Sequence, residues 1–273
     1  MDTDNNNNDN ITYDESNSVR STSSEGLSIE DWSDIENIRS TYLMIFENVN
    51  IRYGSYDAPD RISALVSWSE VVSERSIKLI NFFRQIEAFE NLNSEDRFIL
   101  IKYNLFPLYV IQRSFYFDRI KGKFTNGNND NVDPLKRRQF FTLCYGSREI
   151  PDRFRSLMYS LSEFFEQDTT LMYLLLIILL FSKGLSMSEE EPQLNDQLSV
   201  NRAQNHYIRL TSNYLSYKHG EKKTFQQFIK LMSEIEKLQL YTKSVRQNIH
   251  IQCRTTDVLD KLAPLMQTVL NIS

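Results

Sequence analysis

The sequence predicts a mostly helical single domain, and three observations carry that prediction. Only 7 Gly and 6 Pro in 273 residues leave little turn chemistry for a many-stranded sheet. Apolar residues recur at three- and four-residue intervals along most of the chain. With 41% hydrophobic and 25% charged residues the composition is globular, and the length can bury a sizeable core as one large domain or two small ones. An all-α domain with at most one small β-hairpin is therefore expected.

Residues 1–26 are rich in Asn, Ser and acidic side chains and nearly free of large apolar ones. They lack the burial needed to offset ordering entropy and are expected to be a disordered lead to a domain at 27–273. Ser33-Asp34-Ile35-Glu36 carries a reciprocal capping pattern, and Ile35, Ile38, Tyr42, Ile45, Phe46 and Val49 follow at helical spacing, so a first helix is expected from Ser33. After the turn signals Gly54 and Pro59, apolar residues from Ala64 to Ile86 sustain a long helical pattern. Ser94, with Glu95 and Asp96 behind it, starts another helix towards Phe117, bent at Pro107.

Phe115 to Phe124, around Lys121-Gly122-Lys123, is the strand candidate, a small hairpin running out into Asn126-Gly127. Helical patterns resume over Pro151–Phe165, Thr169–Ser182, Asp196–Lys218 and Thr224–Cys253. Thr256–Leu270 is a terminal amphipathic segment interrupted at Pro264. The apolar run Leu171 to Phe181 is shorter than the ~20 residues that span a bilayer, and Asp168 and Lys183 bracket it, so it reads as a central buried helix.

The charge balance narrows the function classes. A formal net charge of −5 lacks the electrostatic footprint of phosphate-backbone binding, so direct nucleic-acid contact is not expected, nor is a membrane partner. Cys144 and Cys253 make neither a disulfide framework nor a zinc site, which fits reducing conditions. The start MDTDNNNNDN resembles no secretory or transit signal. His206, His219 and His250 lack metal-ligand spacing and read as isolated surface histidines, and there is no GxSxG motif and no phosphate-cradling glycine loop, so neither catalysis nor a cofactor or metal is expected. Lys136-Arg137-Arg138 reads as a solvated loop, with a nuclear import signal as the sharper alternative.

Phe82-Phe83-Arg84-Gln85-Ile86-Glu87-Ala88-Phe89, followed by Leu92, Asp96 and Leu100-Ile101-Lys102, resembles the signature joining the third and fourth helices of nuclear receptor ligand-binding domains. Arg97 replaces the family's usual Gln. Leu174–Phe181 with Gly184-Leu185 looks like the eighth helix and its exit, Phe225–Ile249 like the long tenth and eleventh, and Pro264–Leu270 like the C-terminal activation helix. The resemblance runs from about Ile35 to the end, and several segments are closest to the thyroid-receptor-like branch. It implies a three-layer antiparallel helical sandwich, a nuclear location with or without a cytoplasmic pool, and regulation of transcription by binding.

In this family a sandwich of that kind holds a lipophilic small molecule. The resemblance places Trp68, Val71, Val72, Arg75, Tyr109, Gln112, Arg113, Val245 and Ile249 at that pocket, although the apolar members are equally core residues of any helical protein. Val245 and Leu270 stand where fatty-acid-sensing relatives carry polar groups, so a neutral lipophile or a filled-in core is expected. A coactivator or corepressor peptide of the LxxLL kind would lie against Arg84, Lys102, Leu265, Met266, Thr268 and Val269. Thr268 replaces the acid that would cap the peptide's N-terminal amides, which weakens ligand-dependent coactivator recruitment.

Leu231, Leu238 and Gln239 mark the surface that dimerising relatives use, for a homodimer or a heterodimer with another receptor. Leu171, Gln239 and Pro107 replace charged members of an ion-pair network found there. The family's DNA-binding module needs about eight cysteines around two zinc ions, and two cysteines do not build it. The chain is expected to be either part of a longer receptor or a receptor-like protein without DNA contacts of its own. A ligand-independent, dominant-negative or scaffolding protein that sequesters partner receptors or coregulators is the alternative.

Overall fold

The computed structural model describes residues 26–46, 56–125, 133–255 and 257–272. The expected disordered lead lies outside them except for its last residue. Among the described residues the chain forms ten α-helices and one two-stranded hairpin: α1 (Ile29–Phe46), α2 (Arg61–Phe83), α3 (Glu87–Glu90), α4 (Ser94–Phe115), β1 (Phe117–Asp118), β2 (Lys123–Phe124), α5 (Pro134–Tyr145), α6 (Glu149–Phe165), α7 (Thr169–Leu180), α8 (Gln197–His219), α9 (Glu221–Thr255) and α10 (Pro264–Val269). The strands pair antiparallel, Phe117 opposite Phe124 and Asp118 opposite Lys123.

This is the all-α helical sandwich that the sequence predicts. α1 and α2 form one outer layer, α6 and α9 the other, and α4, α7 and α8 lie between them. Every residue from Leu171 to Leu180 is buried, so α7 has no face to offer water and must be covered on all sides. Like α4, α5 packs against α2, α6 and α9. The cavity described below sits beside α5, where helix packing is replaced by aromatic side chains.

Buried polar groups fix the helix ends against one another. The Asp96 carboxylate is fully buried and accepts from the Asn93 amide side chain at 2.7 Å and from the backbone N–H groups of Asn195 and Asp196 at 2.7 and 2.8 Å. It thus clamps the start of α4 to the start of α8. Asn104 donates to the carbonyls of Leu180 and Ser182, both at 2.8 Å, satisfying acceptors that the end of α7 leaves open. Asp168 caps α7 through the Leu171 N–H and also receives Tyr214 and, at 2.6 Å, Lys218 from α8.

Several boundaries differ from the sequence expectation. α1 begins at Ile29, because Ser28 accepts from the Asp31 N–H at 3.0 Å and acts as the cap, leaving Ser33 one turn inside the helix. α4 is capped by Asn93 rather than Ser94, runs on through Pro107 and ends at Phe115, short of Phe117. Lys136-Arg137-Arg138 belongs to helix α5 and not to a loop; Lys136 meets Asp57 at 3.0 Å and Arg138 meets Asp152 at 2.8 Å. The histidines are less isolated than expected, since His206 lies 3.3 Å from Asp34 and the His250 ring meets the Leu270 carbonyl at 3.0 Å.

Two outcomes follow from this packing. Leu174→Ala removes a fully buried side chain from the middle layer and should lower unfolding free energy by about 2–5 kcal/mol in urea melts. Tyr207 is held neutral, its phenol pushed up to about 12 by burial and by the nearby Asp34 and Glu87 carboxylates. A raised folded-state value gives stability that is complete below pH 10 and lost as the pH climbs towards 12, by about 2–3 kcal/mol. Urea midpoints measured between pH 9 and pH 12 should fall less steeply in Tyr207→Phe than in the unchanged protein.

Candidate functional site

The interior site is built between α2, α4, α5 and the hairpin. From α2, Trp68, Val71, Val72 and Arg75 share one face, and from α4, Phe106, Tyr109, Val110 and Arg113 turn towards them. These side chains and the aromatics opposite them leave a cavity of about 60 Å3. Small-molecule sites run to roughly 300–1,000 Å3, so this one accepts a lipophile only if aromatic side chains move. Trp68 packs edge-on against Phe106 and Tyr145 at 6.2 and 5.8 Å between ring centres, and Phe106 stacks on Tyr109 at 6.3 Å.

Two cations stand inside this apolar wall. Arg75 is 2% and Arg113 7% exposed, and the Arg113 guanidinium lies 4.1 Å from the centre of the Phe124 ring, near enough for a cation–π contact. Tyr56 feels both arginines together with Arg137. Burial raises its phenol above the ordinary tyrosine range, and the three guanidinium groups oppose that rise. The cavity wall is therefore mainly apolar, with buried guanidinium groups set into it.

Of the nine expected pocket residues, the structure brings six to the cavity wall: Trp68, Val71, Val72, Arg75, Tyr109 and Arg113. Gln112 is buried but points elsewhere, donating to the Tyr42 hydroxyl at 3.1 Å. Val245 and Ile249 are wholly buried core residues of α9 and do not line the cavity. In their place α9 contributes Tyr241, whose phenol shares a hydrogen bond with Tyr145 and is raised above its usual range by burial. Sequence reading missed Phe140, Phe141 and Tyr145 because it missed α5, and it passed over Tyr56 ahead of α2 and Phe154 on α6. The signal was present: Asp133 caps through the Leu135 N–H at 2.9 Å, Pro134 is the first helical residue, and Gly146 at φ 62° closes the helix left-handed.

The outer groove lies where α2, α4 and α10 meet. α10 packs on α2 and α4, burying Met266 and Val269 while Leu265 and Thr268 stay partly exposed. The Ala263 N–H donates to Ser69 of α2 at 3.2 Å, fixing where α10 starts. Towards the C-terminal end of α2, Ile77 (49% exposed), Ile80 and Arg84 share a face, and Phe98 (55% exposed), Ile101 and Lys102 share a face of α4. Glu90 joins the two helices, 3.6 Å from Arg84 and 2.7 Å from Arg97, and its carboxyl is lowered first by the Arg97 hydrogen bond and also by Arg84. Thr268 donates back to the Pro264 carbonyl at 3.2 Å and offers no carboxylate.

Of the expected dimer residues, Leu238 is 0% exposed within this single chain and is not available to a partner. Leu231 is half-buried against the core, and Gln239 donates to the Gly184 carbonyl at 3.2 Å. The outward face of α9 instead carries Phe225, Ile229 and Met232. A charge at Leu238 would damage the core before it tested any interface. Among the described residues no group of three or more His, Cys, Asp or Glu side chains is placed to hold a metal ion, and no helix is long and apolar enough to cross a membrane.

The two tryptophans separate cavity from surface spectroscopically: Trp68 is 5% exposed and Trp32 is 44% exposed. In a Trp32→Phe variant the remaining emission should be blue-shifted and resist acrylamide, and a molecule entering the cavity should change it. Emission typical of a wet tryptophan would contradict the packed wall.

No protein-family model matches the chain. A progesterone receptor from Rana dybowskii is 23% identical over 226 residues, which is 78% of this chain and 29% of that protein. The chain thus spans less than a third of the relative's own length. The similarity is to a receptor, over most of the helical sandwich, and it distinguishes no branch within the nuclear receptors.

Proposed function

We propose that this chain is a divergent nuclear-receptor-like ligand-binding domain, a regulatory binding module and not an enzyme, whose output is the capture of an amphipathic helical peptide. The observation that carries this reading is the surface of α2 and α4. α10 packs on both helices, which expose Ile77 and Phe98 on the faces that also carry Arg84 and Lys102. An apolar surface bearing cations suits a short helix, whose exposed C-terminal carbonyls carry partial negative charge. The similarity to a progesterone receptor supports the same assignment and, with it, action on transcription in the nucleus. The coregulator peptide and any small molecule are partners proposed for this chain.

The size of the cavity favours ligand-independent action. At about 60 Å3 it is filled by the chain's own aromatics, which supports a constitutive module that sequesters coregulators or partner receptors over one gated by a lipophilic hormone.

Fluorescence polarisation with LxxLL and corepressor-type peptides tests the groove. Arg84→Ala and Lys102→Ala should each weaken binding. Thr268→Glu should strengthen the LxxLL peptide roughly two- to five-fold, the ~0.3–1 kcal/mol of a carboxylate at a helix N-terminus. Absence of binding by either peptide, or indifference to all three substitutions, would overturn the reading.

A further inference from the structure

A second recess lies outside the interior cavity, and the groove has no part in it. The hairpin, α5 and the first turns of α6 enclose a surface cleft of about 390 Å3, within the usual range for small-molecule sites. Its floor is aromatic: the Phe154 ring lies 6.1 Å from Phe124 and 6.4 Å from Phe141 between ring centres, and the buried Met158 lines the cleft with them. Its walls carry five basic side chains, Lys121, Lys123, Arg137, Arg138 and Arg155, against one carboxylate, Asp152. That carboxylate is paired with Arg138 at 2.8 Å, and Asp118 at the foot of the hairpin lies 3.7 Å from Lys121. In a chain whose net charge is −5 this is a local concentration of positive charge against the overall trend.

The basic hairpin is held in place. Asp118 accepts from the Ile120 and Lys121 N–H groups at 2.9 and 3.0 Å, and Gly122 turns the chain at φ 61° between the two lysines. A side chain at Gly122 would strain that backbone, and its Cβ would lie 2.9 Å from the Tyr159 hydroxyl. The lysines are thus presented on a rigid turn over an apolar floor. The Phe124 ring, which lines both cleft and cavity, has the Arg113 guanidinium on it at 4.1 Å.

We propose that this cleft binds a single-chain anionic amphiphile, its carboxylate, sulfate or phosphate head among Lys121, Lys123 and Arg155 and its apolar body on Phe124, Phe141 and Phe154. Each half of the lining excludes a simpler occupant. A neutral lipophile would make no use of the basic rim. A free inorganic anion would leave the aromatic floor unused. An extended polyanion would meet the acidic remainder of the surface. This site stands independently of peptide capture in the groove.

The test is isothermal titration of the full chain with dodecyl phosphate below its micelle concentration, alongside dodecanol, inorganic phosphate and phosphatidylserine vesicles. Saturable one-to-one binding of dodecyl phosphate, at least ten-fold tighter than dodecanol and absent for inorganic phosphate, is expected. The preference should shrink in high salt. Lys121→Glu combined with Arg155→Glu, both on exposed side chains, should abolish it with an unchanged far-UV spectrum. Should that variant misfold, Lys121→Gln with Arg155→Gln should still weaken dodecyl phosphate several-fold. Trp68 emission in the Trp32→Phe background should stay constant, placing the ligand outside the cavity. Equal binding of dodecanol, equal binding of inorganic phosphate, binding to vesicles alone, or indifference to both double variants would each overturn the proposal. Peptide binding in the groove is read separately and is expected to survive these substitutions.

Discussion

α7 has no polar face, and the rest of the sandwich is arranged by the need to cover it. An apolar helix that meets water on any side forfeits about 1.5–3 kcal/mol for each large side chain left exposed, so the requirement outweighs any local helix preference. α4 packs along α7, α1 and α8 cover further sides, and Asn104 from α4 closes the carbonyls at its end. Asp96, near the beginning of the same α4, holds the start of α8. One helix is thus both the principal cover of the core and the element that ties down the end of α7 and the start of α8.

The candidate functional features lie around α5 and at the surface of the sandwich. Beside α5 the gap between α2 and α9 is filled by rings, and rings of unequal shape leave a small void that a helix would have closed. On the solvent side of α5 the same aromatics form the floor of the basic cleft. Away from α5, α10 rests on α2 and α4, which also expose Ile77 and Phe98.

Much of this was legible in the sequence because the signals were periodic. The run Leu171–Phe181, the long patterns of α2 and α9 and the Lys121-Gly122-Lys123 hairpin all read directly as what the structure contains. Six of nine cavity residues were reached through α2 and α4, whose inward faces the pattern defines. Val245 and Ile249 were misplaced because periodicity reports that a side chain faces inward and does not say whether it meets a void or a neighbour. α5 was overlooked because its basic run suggested solvent, although Asp133-Pro134 and Gly146 marked both of its ends. The exposed or buried state of Leu238 depends on which face of α9 meets α6, a tertiary fact that the repeat alone does not contain.

The central claim is that peptide recognition belongs to the surface formed by α2, α4 and α10. Hydrogen–deuterium exchange of the full chain, with and without a saturating LxxLL peptide, tests it most directly because it locates contact without substituting any residue. The account expects slowed exchange confined to the C-terminal turns of α2, the first half of α4 and α10, with α5 and α6 unchanged. Protection centred on α9, or on α5 and the hairpin, would contradict it.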